Sequence, residues 1–341
     1  MGSFVLWLEL CEALRPLENT LKTLALDVHL QDVPTPFDQD PPLHLSQLEE
    51  LALCQPPDVI CQLLGFIRLP TSTKLYFQNV QPHGLDRLAF PKILSAVSTF
   101  HSPATSLQLS QLSLYVKYNS RHPIGEVEIK GYFHDQPIGF NRDWNFLTEP
   151  PSITLEQRNV LPEEIDSILS LSIDEGIWGI SGYSISELEN LELMLGVGWR
   201  QGPQFLWDTL AQLPKLKNIR IRNTIPGGLF ISLGQDSESI RLILEGKPKE
   251  VAPENSDPPK SQSPQRERSF ASLCSITFEN VKFYRTPKND PSTKAIGQLL
   301  GNLRLRHELG CPLERLAFRG CQSVRKAELV ELARYVSELE K

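Results

Sequence analysis

Three groups of residues have side chains suited to chemistry, and two of them lack the company that chemistry needs. Cys54 and Cys61 stand seven positions apart. A metal pair at that spacing needs further thiols or imidazoles, and none follows at ligand distance, so both read as small core residues. His307 and Glu308 are adjacent at the charged end of a helical stretch and read as solvated. The chain has no Gly-x-Ser-x-Gly, no Gly-Lys-Ser/Thr, no His-Glu-x-x-His and no Gly-x-Gly-x-x-Gly, and "GVGW" at 196–199 is too short to cradle a phosphate. No enzymatic activity is expected, and no cofactor or metal. The third group is a set of arginines in the C-terminal third: Arg220, Arg222, Arg241, Arg315 and Arg319. Each follows or precedes an apolar residue in a short alternating run. A guanidinium pairs bidentately with carboxylates and phosphates, so such a set suits the recognition of an anionic segment.

The elements that must position these arginines carry a recurring figure, L-x-x-L-x-L. It occurs as Leu21/Leu24/Leu26, Leu48/Leu51/Leu53, Leu109/Leu112/Leu114, Ile168/Leu171/Ile173, Leu216/Ile219/Ile221 (with Asn223 close behind), Leu273/Ile276/Phe278 and Leu313/Leu316/Phe318. "TKLYFQNV" at 73–80 and "SIRLILEG" at 239–246 are weaker copies. The last two apolar positions alternate with polar ones and so point inward from a short strand, while the first anchors the turn into it. One unit cannot bury its own face; stacked units bury a continuous core. Leu24 to Leu51 is 27 residues and Leu51 to Leu75 is 24, room for one strand and one helix. The intervening "PPDVICQLLGFI" and "PQFLWDTLAQL" have helical apolar spacing. "VRKAELVELARYVSELE" (324–340) reads as one long amphipathic helix through Val324, Leu329, Leu332, Val336 and Leu339. "CPLERLAFRGC" (311–321) then reads as the last strand.

Other intervals are irregular: 59 residues separate Leu112 from Leu171, and 40 separate Ile276 from Leu316. In the first gap "IGEVEIKGYF" alternates Val127, Ile129 and Tyr132, and "SITLEQ" follows a double proline. A small antiparallel β elaboration is expected over 112–160. Residues 246–270 hold five prolines and almost no apolar side chain, which predicts a disordered loop. Ser263-Pro in it reads as an ordinary loop dipeptide. The whole chain, 1–341, is expected to be one α/β domain, an irregular leucine-rich-repeat solenoid (horseshoe) with that elaboration and that insertion.

The units "LRPLENTLKTLAL", "LSQLEELAL" and "LAQLPKLKNIRIRN", and the closing "CPLERLAFRGC", resemble the leucine-rich-repeat region of fungal F-box proteins of the mushroom type. The resemblance implies a curved solenoid and a role as the substrate-recognition part of an F-box-type ubiquitin ligase adaptor. The F-box itself, which opens on a Leu-Pro-x-Glu-Ile helix, has no counterpart before residue 20. "LPEEIDSIL" at 161–169 resembles that opening. It lies between strand-like copies, however, and Trp199–Arg200 is too distant for a compact three-helix box, so it reads as one short helix feeding the strand at Ile168. A free-standing structural or regulatory repeat scaffold, unrelated to ubiquitin, is the alternative.

In such a solenoid the polar residues of each strand line the concave face. They are Arg220 and Arg222, then Arg241, then Thr277 and Glu279, then Arg315 and Arg319; earlier strands add Tyr76, Gln111 and Ser172. A protein partner with an acidic or phosphorylated segment is expected there. Net charge is -7, which opposes a general nucleic-acid surface. Six cysteines without a C-x-x-C pair, and no N-x-Ser/Thr sequon, place the chain in the cytoplasm or nucleus. The apolar start is interrupted by Glu9 and Glu12, which opposes a signal peptide, and Leu6 stands where a myristoylation motif needs Ser or Thr. No membrane association is expected, and the chain is expected to be a monomer.

Overall fold

A computed structural model describes residues 4–31, 42–70, 72–79, 89–98, 107–119, 122–133, 151–160, 183–195, 204–223, 228–234, 270–283 and 291–341. The chain divides into two compact units, Met1–Trp199 and Arg200–Lys341. Both are mixed α/β structures built on mostly parallel sheet, and no closed barrel forms among the described residues.

The N-terminal unit begins with β1 (Phe4–Leu6) and α1 (Trp7–Leu14), followed by β2 (Thr23–Leu26), β3 (His29–Gln31), β4 (Leu43–His44) and β5 (Glu50–Gln55). Then come α2 (Pro57–Phe66), β6 (Ile67–Arg68), β7 (Lys74–Asn79) and α3 (Ala89–Ser98). Three long strands follow, β8 (Leu107–Asn119), β9 (His122–Phe133) and β10 (Ile153–Val160), and the unit closes with β11 (Tyr183–Ser184) and β12 (Asn190–Leu195). The main sheet runs in the order β12-β8-β9-β10-β7-β5-β2. Leu24, Leu51, Leu75 and Ile153 form one row across it, and Leu26, Leu53, Phe77 and Leu155 the next. All eight are buried, as the L-x-x-L-x-L figure requires. The rows end in buried amides, Gln55, Asn79 and Gln157. On α2 the buried face is Ile60, Leu63, Leu64 and Phe66, with Val59 only half-buried.

Residues 112–160 fall within this sheet. β9 is antiparallel to both β8 and β10, while β8 runs parallel to β12 and β10 parallel to β7. One reversed strand is thus spliced into a parallel sheet. Val127, Ile129 and Gly131 share its core side; Tyr132 falls on the opposite side, across from Gln111. The expectation that Tyr132 belongs with Val127 and Ile129 fails because the period is two and glycine takes the third core position. A Cβ on Gly131 would lie 2.9 Å from both Ile153 Cγ2 and Leu109 Cδ2, so the neighbours fill that space instead.

The C-terminal unit contains α4 (Gln204–Ala211), β13 (Asn218–Arg222), helical residues 228–234, β14 (Ser275–Glu279) and α5 (Pro291–Glu308). It continues with β15 (Leu313–Arg319), α6 (Lys326–Leu332) and β16 (Val336–Glu340). The sheet order is β13-β14-β15-β16, all parallel. Ile219, Ile276 and Leu316 form one core row and Ile221, Phe278 and Phe318 the next, all buried. Phe278 stacks on Phe318 at 5.5 Å and meets Phe283 edge-on at 5.4 Å, and aromatic pairs of this kind add about 0.5–1.5 kcal/mol beyond area burial.

Each of the first three strands ends in the same way. Asn223, Asn280 and Gly320 follow β13, β14 and β15, with φ of 69°, 54° and 59°. This left-handed region tolerates Gly and, next best, Asn. β14 and β15 also begin alike: the Lys217 carbonyl accepts the amides of Cys274 and Ser275 (2.8 and 3.0 Å). The Cys274 carbonyl accepts those of Glu314 and Arg315 (2.8 and 3.1 Å). In the N-terminal unit, Lys22 serves Glu49 and Glu50 identically (2.7 and 3.1 Å).

The 324–340 stretch differs from its helical reading. The helix stops at Leu332, and Val336–Glu340 pairs with β15, so "CPLERLAFRGC" is not the last strand. Spacings of three and four from Leu329 to Leu339 suit a helix equally well in the sequence. The strand wins because it pairs the open backbone of β15 and sets Glu338 and Glu340 on the arginine side. The expected loop 246–270 lies outside the described residues except Phe270, which is fully buried and donates its amide to the Ala211 carbonyl at 2.6 Å. "LPEEIDSIL", the strands at Ile168 and Ser239, and Trp199–Arg200 also lie outside them.

Phe278→Ala is expected to cost about 3–5 kcal/mol in equilibrium denaturation, since it empties the centre of this core. Gly320→Ala is expected to cost less, about 1–2 kcal/mol, from its φ and from a Cβ placed 2.5 Å from Asn280 Oδ1.

Candidate functional site

Because β13, β14 and β15 are in register, their polar side chains form a lattice on the face opposite the phenylalanines. One rung is Asn218, Ser275, Arg315 and Glu338; the next is Arg220, Thr277, Ala317 and Glu340; the third is Arg222, Glu279 and Arg319. Six of the seven residues singled out in the sequence are therefore brought together. The seventh, Arg241, lies outside the described residues.

The lattice is organised by two carboxylates. Glu279 accepts from Arg220 Nε at 2.9 Å and from an Arg222 terminal nitrogen at 3.0 Å, and Arg220 adds a second, close contact to the same carboxylate. Glu340 accepts from Arg319 Nε at 2.8 Å and from its terminal nitrogen at 3.2 Å, and Arg315 also bonds it. Glu338 stands 3.8 Å from Arg315 Nε with its side chain 66% exposed. Burial raises the Glu279 carboxyl, yet the hydrogen bonds and charges of Arg220 and Arg222 together hold it below the usual glutamate range. The Arg319 hydrogen bond is the largest influence on Glu340; burial opposes it, and with the Arg315 hydrogen bond and both charges the carboxyl is held below the usual glutamate range.

This corrects the picture of freely presented arginines. Arg220 is only 9% exposed and Thr277 1%, so both are packed within the lattice. Glu279 is a counter-ion to its neighbours. Glu338 and Glu340, the anions that complete the site, were missed because their segment reads as helix. Among the described residues of these rungs, four arginines stand beside three glutamates.

The polar face of the N-terminal unit is also internally compensated. Glu156 accepts from Tyr76 and Arg158, Ser113 donates to Glu192 at 3.0 Å, and Lys130 pairs with Glu128 at 2.9 Å. Burial pushes the Tyr132 hydroxyl up to about 12. Gln111 is buried and Ser172 lies outside the described residues. Cys54 and Cys61 are half-buried rather than core residues. Cys54 takes the polar side of β5 because Gln55 occupies the inward position, and burial, followed by its bond to Asp27, lifts its thiol to about 11. The Cys321 thiol, just beyond β15, donates to the Phe278 carbonyl at 3.3 Å. Among the described residues, no cluster of His, Cys, Asp and Glu is placed to hold a metal, and no helix is long and apolar enough to cross a membrane.

No family model, no curated protein and no solved structure matches the chain.

The lowered carboxyls set an acid limit on the C-terminal unit. Their stabilisation is complete above the unfolded glutamate value, about 4.3, and is lost as pH falls through the lower folded values. Glu279→Gln is expected to lower the unfolding free energy by about 1–3 kcal/mol at pH 7. The gap to the parent should narrow progressively in denaturation curves taken as pH falls below the unfolded glutamate value of about 4.3.

Proposed function

We propose that the protein is a non-enzymatic interaction module, an irregular leucine-rich-repeat solenoid whose C-terminal strand face receives an acidic or phosphorylated segment of a protein partner. The observation that carries this reading is the lattice itself. Arg220, Arg222, Arg315 and Arg319 are fixed at strand spacing by Glu279 and Glu340, with their orientation settled before any partner arrives. A pre-ordered guanidinium loses little conformational entropy on binding. The repeat character is supported by the L-x-x-L-x-L core rows, the shared two-amide start of β5, β14 and β15, and the left-handed residue that follows β13, β14 and β15.

In line with the resemblance noted in the sequence, the module serves as the substrate-recognition part of an F-box-type ubiquitin ligase adaptor in the cytoplasm or nucleus. Substrate selection then rests on the arginine face, and coupling to the ligase on a segment other than the described strands.

The test is affinity capture of partners with the full chain and with Arg222→Glu/Arg319→Glu, after circular dichroism has established that the variant folds. The expected result is loss of captured partners carrying acidic or phosphorylated segments, together with recovery of cullin-type ligase subunits by both proteins. Unchanged partner capture by the variant would remove the arginine face. Absence of ligase subunits from both would remove the adaptor role and leave the free-standing scaffold.

A further inference from the structure

The last strand of the C-terminal sheet is held differently from the others. The core-facing residues of β13, β14 and β15 are fully buried, but Val336 and Leu339 of β16 are only half-buried. Leu339 is the register partner of Leu316, so the shortfall lies in what covers β16 and not in its alignment. The helix before it, α6, buries only Leu329 and Leu332 and leaves Val330 56% exposed. Among the described residues β16 pairs with β15 alone. Its hold therefore comes from the backbone ladder and from Glu338 and Glu340 reaching Arg315 and Arg319. An element with little apolar burial and solvent-facing hydrogen bonds opens at low cost compared with the global fold.

Beneath it, β15 has a second support. It is locked to β14 along its other side, and Phe318 is stacked on Phe278. If β16 leaves, β15 presents a backbone edge flanked by Arg315 and Arg319. That edge is a template for an added parallel strand with carboxylates on alternate residues and an apolar residue between them. β16 itself has this pattern: Glu338, Leu339, Glu340.

We propose that β16 is a displaceable stand-in for the partner: it occupies on β15 the seat taken by an acidic, extended segment of a bound protein, and Glu338 and Glu340 hold the arginines until that segment arrives. This deepens the reading above and rests on it. The face is self-occupied at rest, so a partner must out-compete a tethered strand of the same chemistry. That raises the affinity a correct partner must bring and rejects weakly acidic segments.

The experiment uses the full chain and a fluorescein-labelled peptide of its own residues 336–341, VSELEK. Amide hydrogen exchange of the parent is expected to be at least about 100-fold faster over 336–340 than over 315–319. Glu338→Gln/Glu340→Gln is expected to bind the labelled peptide at least about 10-fold more tightly than the parent, with protection of 315–319 retained. A peptide with both glutamates changed to glutamine should not bind. Equal binding to parent and variant with β16 still protected would overturn the displacement while leaving an anion-receiving face. No binding to either protein would overturn both. Conversion of the parent to a dimer that buries 336–340 without peptide would overturn the proposal in favour of a second copy as the occupant. Should the double variant fail to fold, exchange over 336–340 in the parent as slow as over 315–319 overturns it alone.

Discussion

Glu279 can bridge Arg220 and Arg222 only because β13 and β14 lie side by side, parallel and in step. The same step places Ile219 beside Ile276 and Ile221 beside Phe278 on the other face. A slip of one residue would turn every arginine into the core and every isoleucine toward solvent. Burial of the apolar rows and compensation of the charged rows thus enforce one register from opposite sides. The left-handed Asn223, Asn280 and Gly320 add a third constraint, since each must fall directly after its strand.

The charged face follows from that constraint. Arginines at alternate positions of one strand sit close enough to share a carboxylate on the next. The sharing fixes the guanidinium planes. The N-terminal unit follows the same logic with different residues: its core rows are aliphatic apart from Phe77, its polar rows compensated, and a single reversed strand, β9, is accommodated by Gly131.

The strand positions were legible because L-x-x-L-x-L joins a turn anchor to period-two alternation, a pattern helices do not share. That is why Leu216/Ile219/Ile221 and Leu313/Leu316/Phe318 are found where expected. Other features were hidden for physical reasons. Val336 and Leu339 are three apart, compatible with a helix, and only the open edge of β15 decides for a strand. Glu279 looks like another surface carboxylate until the register sets it beside two arginines. Arg220 and Thr277 point to the polar face as expected, yet crowding by neighbouring strands removes them from solvent. Trp207 is polar-edged and mid-helix, and only the close approach of Gly228, where a Cβ would lie 2.1 Å from its Cδ1, explains its complete burial.

The most direct test of the β16 pairing is a double-mutant cycle on the pair that spans β15 and β16. Arg319→Met, Glu340→Gln and the double variant would be compared with the parent by equilibrium denaturation at pH 7. A favourable coupling of about 1 kcal/mol is expected, within the range found for residues in direct contact. Strict additivity would mean that Glu340 does not lie on Arg319, and the parallel pairing of β16, with the lattice it completes, would be wrong.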